Sequence, residues 1–343
     1  MASYLLLLQA GANRVYEQGA VALAAAELED LAEGSLPRAF TSIEVVRLGE
    51  VEYLQATSDG PLTPSELDVV ANLSSLQALF EREGDLLRPV PRRRRLLVDD
   101  DLLSIQRYQG KTNEAFTHLL VNVAVARTVR GFERLLDDER LTLLDPVCGR
   151  GTTLNRAIAY GMDAIGVEAD AKDVGAYEQF LTTWLKDKRF KHQVDRERLR
   201  KGRDRPAART VVSYGRKGDA GHRRVVVVQD DTVNLTDHVK ARSVDVVVAD
   251  LPYGVQHGAE ADGRLDRGPG ALVAAALPGW VAALRPGGAM ALAWNRRTLP
   301  RPELVERLVG AGLEVDRPDD ERYVHRVDRA ITRDVVVAAR PAR

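Results

Sequence analysis

The sequence predicts an α/β protein built on a doubly wound, mostly parallel sheet, with a small α+β domain in front of it. Three observations carry this. Short apolar runs recur at Leu141 to Leu144, Ala164 to Glu168, Val225 to Gln229, Val244 to Ala249, Ala289 to Trp294 and Val335 to Ala338. Helical intervals separate them, and strands that read as continuous apolar runs are buried on both faces, the pattern of parallel sheets. The first run breaks at Asp145-Pro146 into Val147-Cys148-Gly149-Arg150-Gly151-Thr152, a glycine loop that opens a helix at the carboxyl end of a strand, where such sheets bind ligands.

Bulk properties agree. At 343 residues the chain exceeds one ordinary domain, so two are expected. A hydrophobic content of 45% with 29% charged residues describes a soluble globular protein, and no apolar run approaches the ~18 residues of a membrane span. The opening Met1 to Gln9 has no basic flank and too short an apolar run for a signal peptide, so a cytoplasmic location is the expectation. A single cysteine excludes an internal disulfide and a multi-thiolate zinc site, and the 6 histidines show no metal-ligand spacing; no metal is expected. The net charge of -1 hides a segregation, because residues 186 to 224 carry 15 Lys/Arg against 5 Asp/Glu.

Taken in order, residues 3 to 9 read as a strand and Val15 to Leu31 as an alanine- and leucine-rich helix. Ser42 to Leu48 and Val51 to Ala56 read as strands around Gly49, and Thr63-Pro64-Ser65-Glu66 starts a helix that an amphipathic pattern carries on through Leu73 to Phe80. Residues 1 to 90 thus form the small domain. Residues 91 to 104 follow with Arg92 to Arg95 as a basic linker, either solvated or a strap against phosphates. The second domain spans 105 to 343, with an amphipathic helix from Glu114 to Arg130. Residues 186 to 224 interrupt its rhythm as an exposed basic insertion with little periodicity, where Tyr214 and His222 are the candidates for stacking.

Two motifs carry chemistry. Gly149 and Gly151 can take positive φ and let a ligand lie against bare backbone, while the helix after them offers unpaired N–H groups. Leu154 stands where a dinucleotide fingerprint needs its third glycine, and Ile105 stands where a P-loop ending at Gly110-Lys111-Thr112 needs its first. Glu168, closing the second strand, suits the two hydroxyls of a ribose. Asp230 and Asp231 close the third strand, where one of them can bind an adenine amino group; an error of one residue in strand phase swaps their faces. Asp250-Leu251-Pro252-Tyr253-Gly254 ends the fourth strand. An exocyclic base amine is a poor nucleophile because its lone pair is delocalised. Asp250 and the Leu251 carbonyl, accepting its two hydrogens, would tilt the nitrogen and aim the lone pair at an electrophile. Pro252 would fix the loop, and Tyr253 would give a base a flat surface. Cys148 reads as a packing residue, since no base is positioned to activate it.

Asp145-Pro-Val-Cys-Gly-Arg-Gly-Thr together with Asp250-Leu-Pro-Tyr-Gly resembles the amino-methyltransferase branch of class I S-adenosylmethionine-dependent enzymes. Within it the chain looks most like the THUMP-associated tRNA guanosine-N2 methyltransferases, and Gly110-Lys-Thr-Asn before an amphipathic helix is similar too. The resemblance covers about residues 105 to 340. It implies a Rossmann-like fold and S-adenosyl-L-methionine held by Asp145, Pro146, Cys148, Gly149, Gly151, Thr152 and Glu168, with adenine near Asp230 or Asp231. It also implies Asp250, Leu251, Pro252 and Tyr253 at the target amine, and tRNA or another RNA as partner. Leu251 replaces the first proline of the common D-P-P-Y form, and residues 1 to 90 are too few for a ferredoxin-like domain plus a THUMP domain, so the basic insertion is the expected substitute in RNA contact. A small activating subunit and a homodimer are both compatible with the sequence. The same motif pair suits adenine N6 or cytosine N4 of DNA, a protein glutamine amide, or an inactive nucleic-acid-binding module that keeps the fold.

Overall fold

In the second half of the chain, neighbouring residues of one strand point into different cores. Leu143, Val246 and Val248 belong to one apolar cluster, while Leu144, Val247 and Ala249 belong to another. A strand whose alternate side chains are both buried needs a layer on each face, and the computed structural model supplies one. It describes residues 1–9, 14–36, 40–91, 94–200, 206–216, 222–253 and 268–342.

The N-terminal part contains β1 (Ala2–Leu8), α1 (Arg14–Ser35), β2 (Ser42–Leu48), β3 (Val51–Ser58), α2 (Pro64–Val70), β4 (Leu76–Glu83) and β5 (Leu86–Val90). Its antiparallel strands lie in the order β2-β3-β1-β4-β5. Thr63 caps α2 in a reciprocal capping box with Glu66. Residues 76 to 83 form a strand, where a continued helix was expected. Leu73, Leu76 and Leu79 repeat every third residue and so imitate a helical face, but β1 offers β4 an open edge, and pairing with it decides the conformation.

The larger part continues with α3 (Asp101–Ser104), α4 (Glu114–Ala126), α5 (Glu133–Leu136), β6 (Thr142–Asp145), α6 (Thr152–Tyr160), β7 (Asp163–Glu168) and α7 (Ala171–Asp187). It goes on through β8 (Lys191–Arg200), β9 (Pro206–Gly215), β10 (Arg223–Gln229), a 3-10 turn at Thr232–Asp237 and β11 (Val244–Asp250). It closes with α8 (Pro269–Ala283), β12 (Leu284–Asn295), α9 (Arg301–Gly310), β13 (His325–Arg326) and β14 (Thr332–Ala339). The 9-stranded sheet runs β13-β14-β12-β11-β6-β7-β10-β9-β8. Its five central strands are parallel, and β14 returns antiparallel against β12. The chain order reverses between β6 and β11, so the crevice at their carboxyl ends lies between Asp145 and Asp250.

The insertion at residues 186 to 224 differs from the irregular exposed stretch expected. β8 and β9 pair over ten residues as a hairpin that extends the sheet beyond β10. The charged residues of the segment had masked the alternation of buried Thr210, Val212 and Tyr214 along β9, with Val194 opposite Val212 on β8. Tyr214 is buried against Phe190, 6.2 Å between ring centroids, so it does not offer the stacking surface expected of it.

The segment expected as a basic linker is packed over its described part, while Arg92 and Arg93 lie outside the described residues. Leu97 donates its N–H to the Ala159 carbonyl, Arg95 pairs with Asp138 at 2.6 Å, and Val98 and Leu102 are buried. One apolar cluster runs without a break from Tyr4, Leu6 and Leu54 into Leu143 and Val246. Between the sheets lies α4, buried from Phe116 to Ala126 as a helix apolar all round must be. A polar chain crosses this core: Asn122 donates to Glu27 of α1 at 2.6 Å, Tyr160 donates to Asn122 at 2.6 Å, and His118 meets the Tyr160 hydroxyl at 2.5 Å. Burial pushes the Glu27 carboxyl up to about 7. These bonds fix α4 against both parts, and the start of α4 faces the crevice.

Candidate active site

The glycine loop is shaped by its own backbone. Cys148 donates its N–H to the Val167 carbonyl at 3.0 Å, and Gly151 donates to the Cys148 carbonyl at 2.8 Å. Gly149 has φ +49° and Gly151 φ +78°, in the left-handed region where only glycine sits without strain. A side chain on Gly149 would meet nothing within 4 Å, so its Cα faces open space, whereas one on Gly151 would strike the Tyr177 ring. Gly151 caps α6 without a side chain, leaving the first N–H groups of that helix available to a ligand.

The open space is a cavity of about 340 Å³, within the range of small-molecule sites. Its walls are Asp145, Val147 to Arg150 and Thr152 on one side, Asp250 to Tyr253 on the other, and Tyr108, Thr112 and Thr117 from the approach to α4. Asp145 is buried, accepts the Val147 N–H at 3.1 Å, and is pushed up to about 7, chiefly by burial and further by the charges of Asp250 and Glu168; hydrogen bonds from Val147 and Thr153 oppose the rise. Pro146 is buried at the turn out of β6. Cys148 is buried with its thiol pushed well up, the inert condition expected of it. Its Sγ stands 2.6 Å from where a Cβ on Gly166 would lie, so it fills space that β7 leaves open.

Across the cavity, Asp250 is held from several directions. Thr112 donates to its Oδ2 at 2.7 Å, and the Tyr253 hydroxyl donates to Oδ1 at 2.7 Å and Oδ2 at 2.9 Å. Leu251 donates its N–H to the Ala293 carbonyl at 2.8 Å and is buried, while Pro252 is exposed. Gly254 lies outside the described residues. Tyr253 therefore folds back on Asp250 with its phenol, where sequence reasoning expected a ring turned to a base. Burial, and then the Asp250 charge, push its hydroxyl pKa up.

Three sequence-predicted residues are not among those that line this cavity. Glu168 accepts from the Gly149 N–H at 3.0 Å and the Asp170 N–H at 2.8 Å, so in this structure it shapes the glycine loop. Asp230 is buried against His238 at 2.7 Å and also accepts from Asn234 at 3.2 Å. Asp231 caps the 3-10 turn through the Val233 N–H. Sequence reasoning missed Tyr108, whose hydroxyl meets Thr152 at 2.9 Å, and Arg150, which lies 5.0 Å from the Tyr108 ring and pairs with Asp173 at 2.7 Å. It also missed Arg333, 3.6 Å from Asp250. Thr112 carried a signal, a polar residue just before the Asn113 cap of α4; Arg333 carried none, since only the pairing of β14 with β12 brings it there.

The donor set fits an adenosylmethionine. It combines an open glycine backbone, a helix N-terminus free for a carboxylate, and buried carboxylates for cationic groups. Among the described residues no group of His, Cys, Asp and Glu could hold a metal, and no helix is long and apolar enough to cross a membrane.

Comparison with known proteins agrees with this site. Residues 134–266 match the family described as RMKL-like, methyltransferase domain (UPF0020). No curated protein matches the chain. Among solved structures it is similar to TrmN from Thermus thermophilus, at 18% identity and TM-score 0.41, over 87% of this chain and 59% of TrmN. It is similar to a TehB-like SAM-dependent methyltransferase from Corynebacterium glutamicum at 17% identity and TM-score 0.34, over 60% of this chain and 85% of that one. An rRNA methylase from Streptococcus thermophilus is 11% identical at TM-score 0.36, over 68% of this chain and 99% of that one. The chain thus spans less than two thirds of the length of TrmN. Over residues 134–266, which hold the glycine loop and Asp250, the chain matches the model of a methyltransferase domain.

Proposed function

We propose that the enzyme methylates an exocyclic base amine of RNA, guanosine N2 of tRNA, as the THUMP-associated methyltransferases that its motifs resemble do. The observation that carries this is the facing of Asp250 and the glycine loop across one cavity. When bound, S-adenosylmethionine supplies an electrophilic methyl group on a sulfonium. Gly149, Thr152 and the start of α6 would hold its amino-acid end, Asp145 would balance its positive charge, and Glu168 would share its carboxylate with the ribose. Asp231 is the better placed of the two β10 acids for adenine, because Asp230 is committed to His238 and Asn234. Asp250 accepts one hydrogen of the target amine and the Leu251 carbonyl the other, which aims the nitrogen lone pair at the methyl group. Direct transfer needs no nucleophile on the protein, in keeping with the buried thiol of Cys148.

The basic hairpin of β8 and β9 is the proposed RNA contact beside the site. The test is incubation with labelled donor and unmodified tRNA, DNA or protein extract, followed by mass spectrometry of the nucleosides. The expected product is N2-methylguanosine; N6-methyladenine in DNA or a methylated glutamine would replace the reading.

Two further outcomes follow from the loop. Cys148→Ala keeps turnover within about fivefold of the parent, because it removes a packing atom and no reacting group; a loss near a thousandfold would make the thiol a participant. Donor affinity should depend on pH. The Asp145 carboxyl holds its proton below about 7 in the free protein, and a bound cation favours the ionised form, so binding releases that proton. Affinity for S-adenosylmethionine, measured calorimetrically, should therefore rise by up to about tenfold between pH 6 and 8. S-adenosylhomocysteine lacks the sulfonium charge and should show a smaller rise; equal slopes for the two would remove Asp145 from this role.

A further inference from the structure

The donors around Asp250 are not equivalent. Oδ2 is held by Thr112 at 2.7 Å and faces the Arg333 guanidinium at 3.6 Å, while the shorter contact of the Tyr253 hydroxyl, 2.7 Å, is to Oδ1. Arg333 donates through Nη2 to that same hydroxyl, and its Cζ lies 4.3 Å from the Phe116 ring centroid and 5.0 Å from that of Tyr253. It is buried, with an Nε that has no hydrogen-bond partner, so its own position is fixed by two aromatic faces and the strand beneath it.

We propose that Arg333 is a positioning residue for the target amine: it latches the Tyr253 phenol onto Asp250 when no base is present, and clamps Asp250 Oδ2 when one is. A base amine needs an unoccupied lone pair of Asp250 that can be aimed across the cavity, and in this structure the phenol lies against both oxygens, nearer to Oδ1. The entering amine displaces the phenol, and the Tyr253 ring is then free to lie against the base. Thr112 keeps its hydrogen bond to Oδ2 and the Arg333 guanidinium, 3.6 Å away, closes on that oxygen once the phenol leaves, so the carboxylate does not turn with its departing partner and Oδ1 is aimed across the cavity. Arginine suits the task, because the two hydrogens of its Nη2, the atom nearest both groups, can serve the phenol oxygen and the carboxylate in turn while the charge stays fixed.

The inference rests on the reading that Asp250 receives an amine, and it holds for any amine-bearing polymer; wild-type substrate screening, done first, exposes a wrong polymer before any variant is compared. Binding of unmodified tRNA, transcribed in vitro, is then measured with S-adenosylhomocysteine present for wild type, Tyr253→Phe, Arg333→Met and Arg333→Lys. Removing the latch should tighten binding by about three- to tenfold in Tyr253→Phe and Arg333→Met, the equivalent of one displaced hydrogen bond. In single-turnover assays Arg333→Met should also slow methylation by about tenfold or more, and Arg333→Lys should recover part of that rate. Tighter binding joined to slower chemistry is a split that a merely structural arginine would not produce. Unchanged or weaker binding in both Tyr253→Phe and Arg333→Met overturns the latch, and a wild-type rate in Arg333→Met overturns the clamp. Should Arg333→Met fail to fold, Tyr253→Phe decides the latch and Arg333→Lys, set beside Arg333→Gln, decides the clamp by whether rate follows the retained charge.

Discussion

Replacing Asp250 by asparagine should lower turnover by about 10²- to 10³-fold while S-adenosylmethionine affinity stays within about threefold. The substitution keeps size and one carbonyl acceptor, so Thr112 can still hold the side chain. It turns the other oxygen into an NH2 group, which repels the amine hydrogens it faces. It also removes the negative charge that favours the slight positive charge growing on the amine as its lone pair turns toward the methyl group. Donor binding is expected to depend on the opposite wall, where Gly149, Thr152 and Asp145 stand, so it should survive. The measurement is single-turnover methylation beside calorimetric titration of the donor. Full turnover would take the amine-orienting role from Asp250, while loss of both properties would move Asp250 into the cofactor wall.

The placing of the two motifs on one cavity was legible in the sequence because both are local. Asp145 to Thr152 combine a strand end, two glycines and a helix start in eight consecutive residues, and Asp250 to Tyr253 end the strand that topology places beside the first. The parallel strands were legible for a related reason: a strand buried on both faces must be apolar over its central residues, as Val246 to Ala249 are. What remained hidden depends on pairing. β4 looks helical until β1 lies beside it, and β8 looks like a solvated loop because an edge strand carries charge without losing its ladder, here with β9. Arg333 is the sharpest case. It sits on β14 at a position set by the register Asn295↔Arg333, and neither neighbour in sequence nor composition marks it as facing Asp250. Glu168, Asp230 and Asp231 show the converse, since strand-end acids were easy to find yet each already serves a backbone or side-chain donor.

Gly151→Ala should weaken donor binding by roughly 30-fold to 10³-fold, the largest loss expected from adding one methyl group to this protein. Two costs add. At φ +78° an alanine is strained by about 1 to 2 kcal/mol. Its Cβ would also lie 2.3 to 2.6 Å from three atoms of the Tyr177 ring. That ring cannot retreat cheaply: it is fully buried, and its hydroxyl donates to Asn155 of α6 at 3.2 Å. Overpacking of this kind costs about 1 to 3 kcal/mol, and the cheapest escape is for the loop to leave its place over the cavity. Gly149→Ala separates the terms, for its φ of +49° carries strain while nothing lies within 4 Å of the added carbon in the free protein. Thermal stability should therefore fall more in Gly151→Ala than in Gly149→Ala, whereas both should lose donor affinity, the second because its methyl group stands where the ligand would lie. Wild-type donor affinity in Gly149→Ala would show that the open side of the loop is not where the donor is held, and the cofactor wall would have to be sought elsewhere in the crevice.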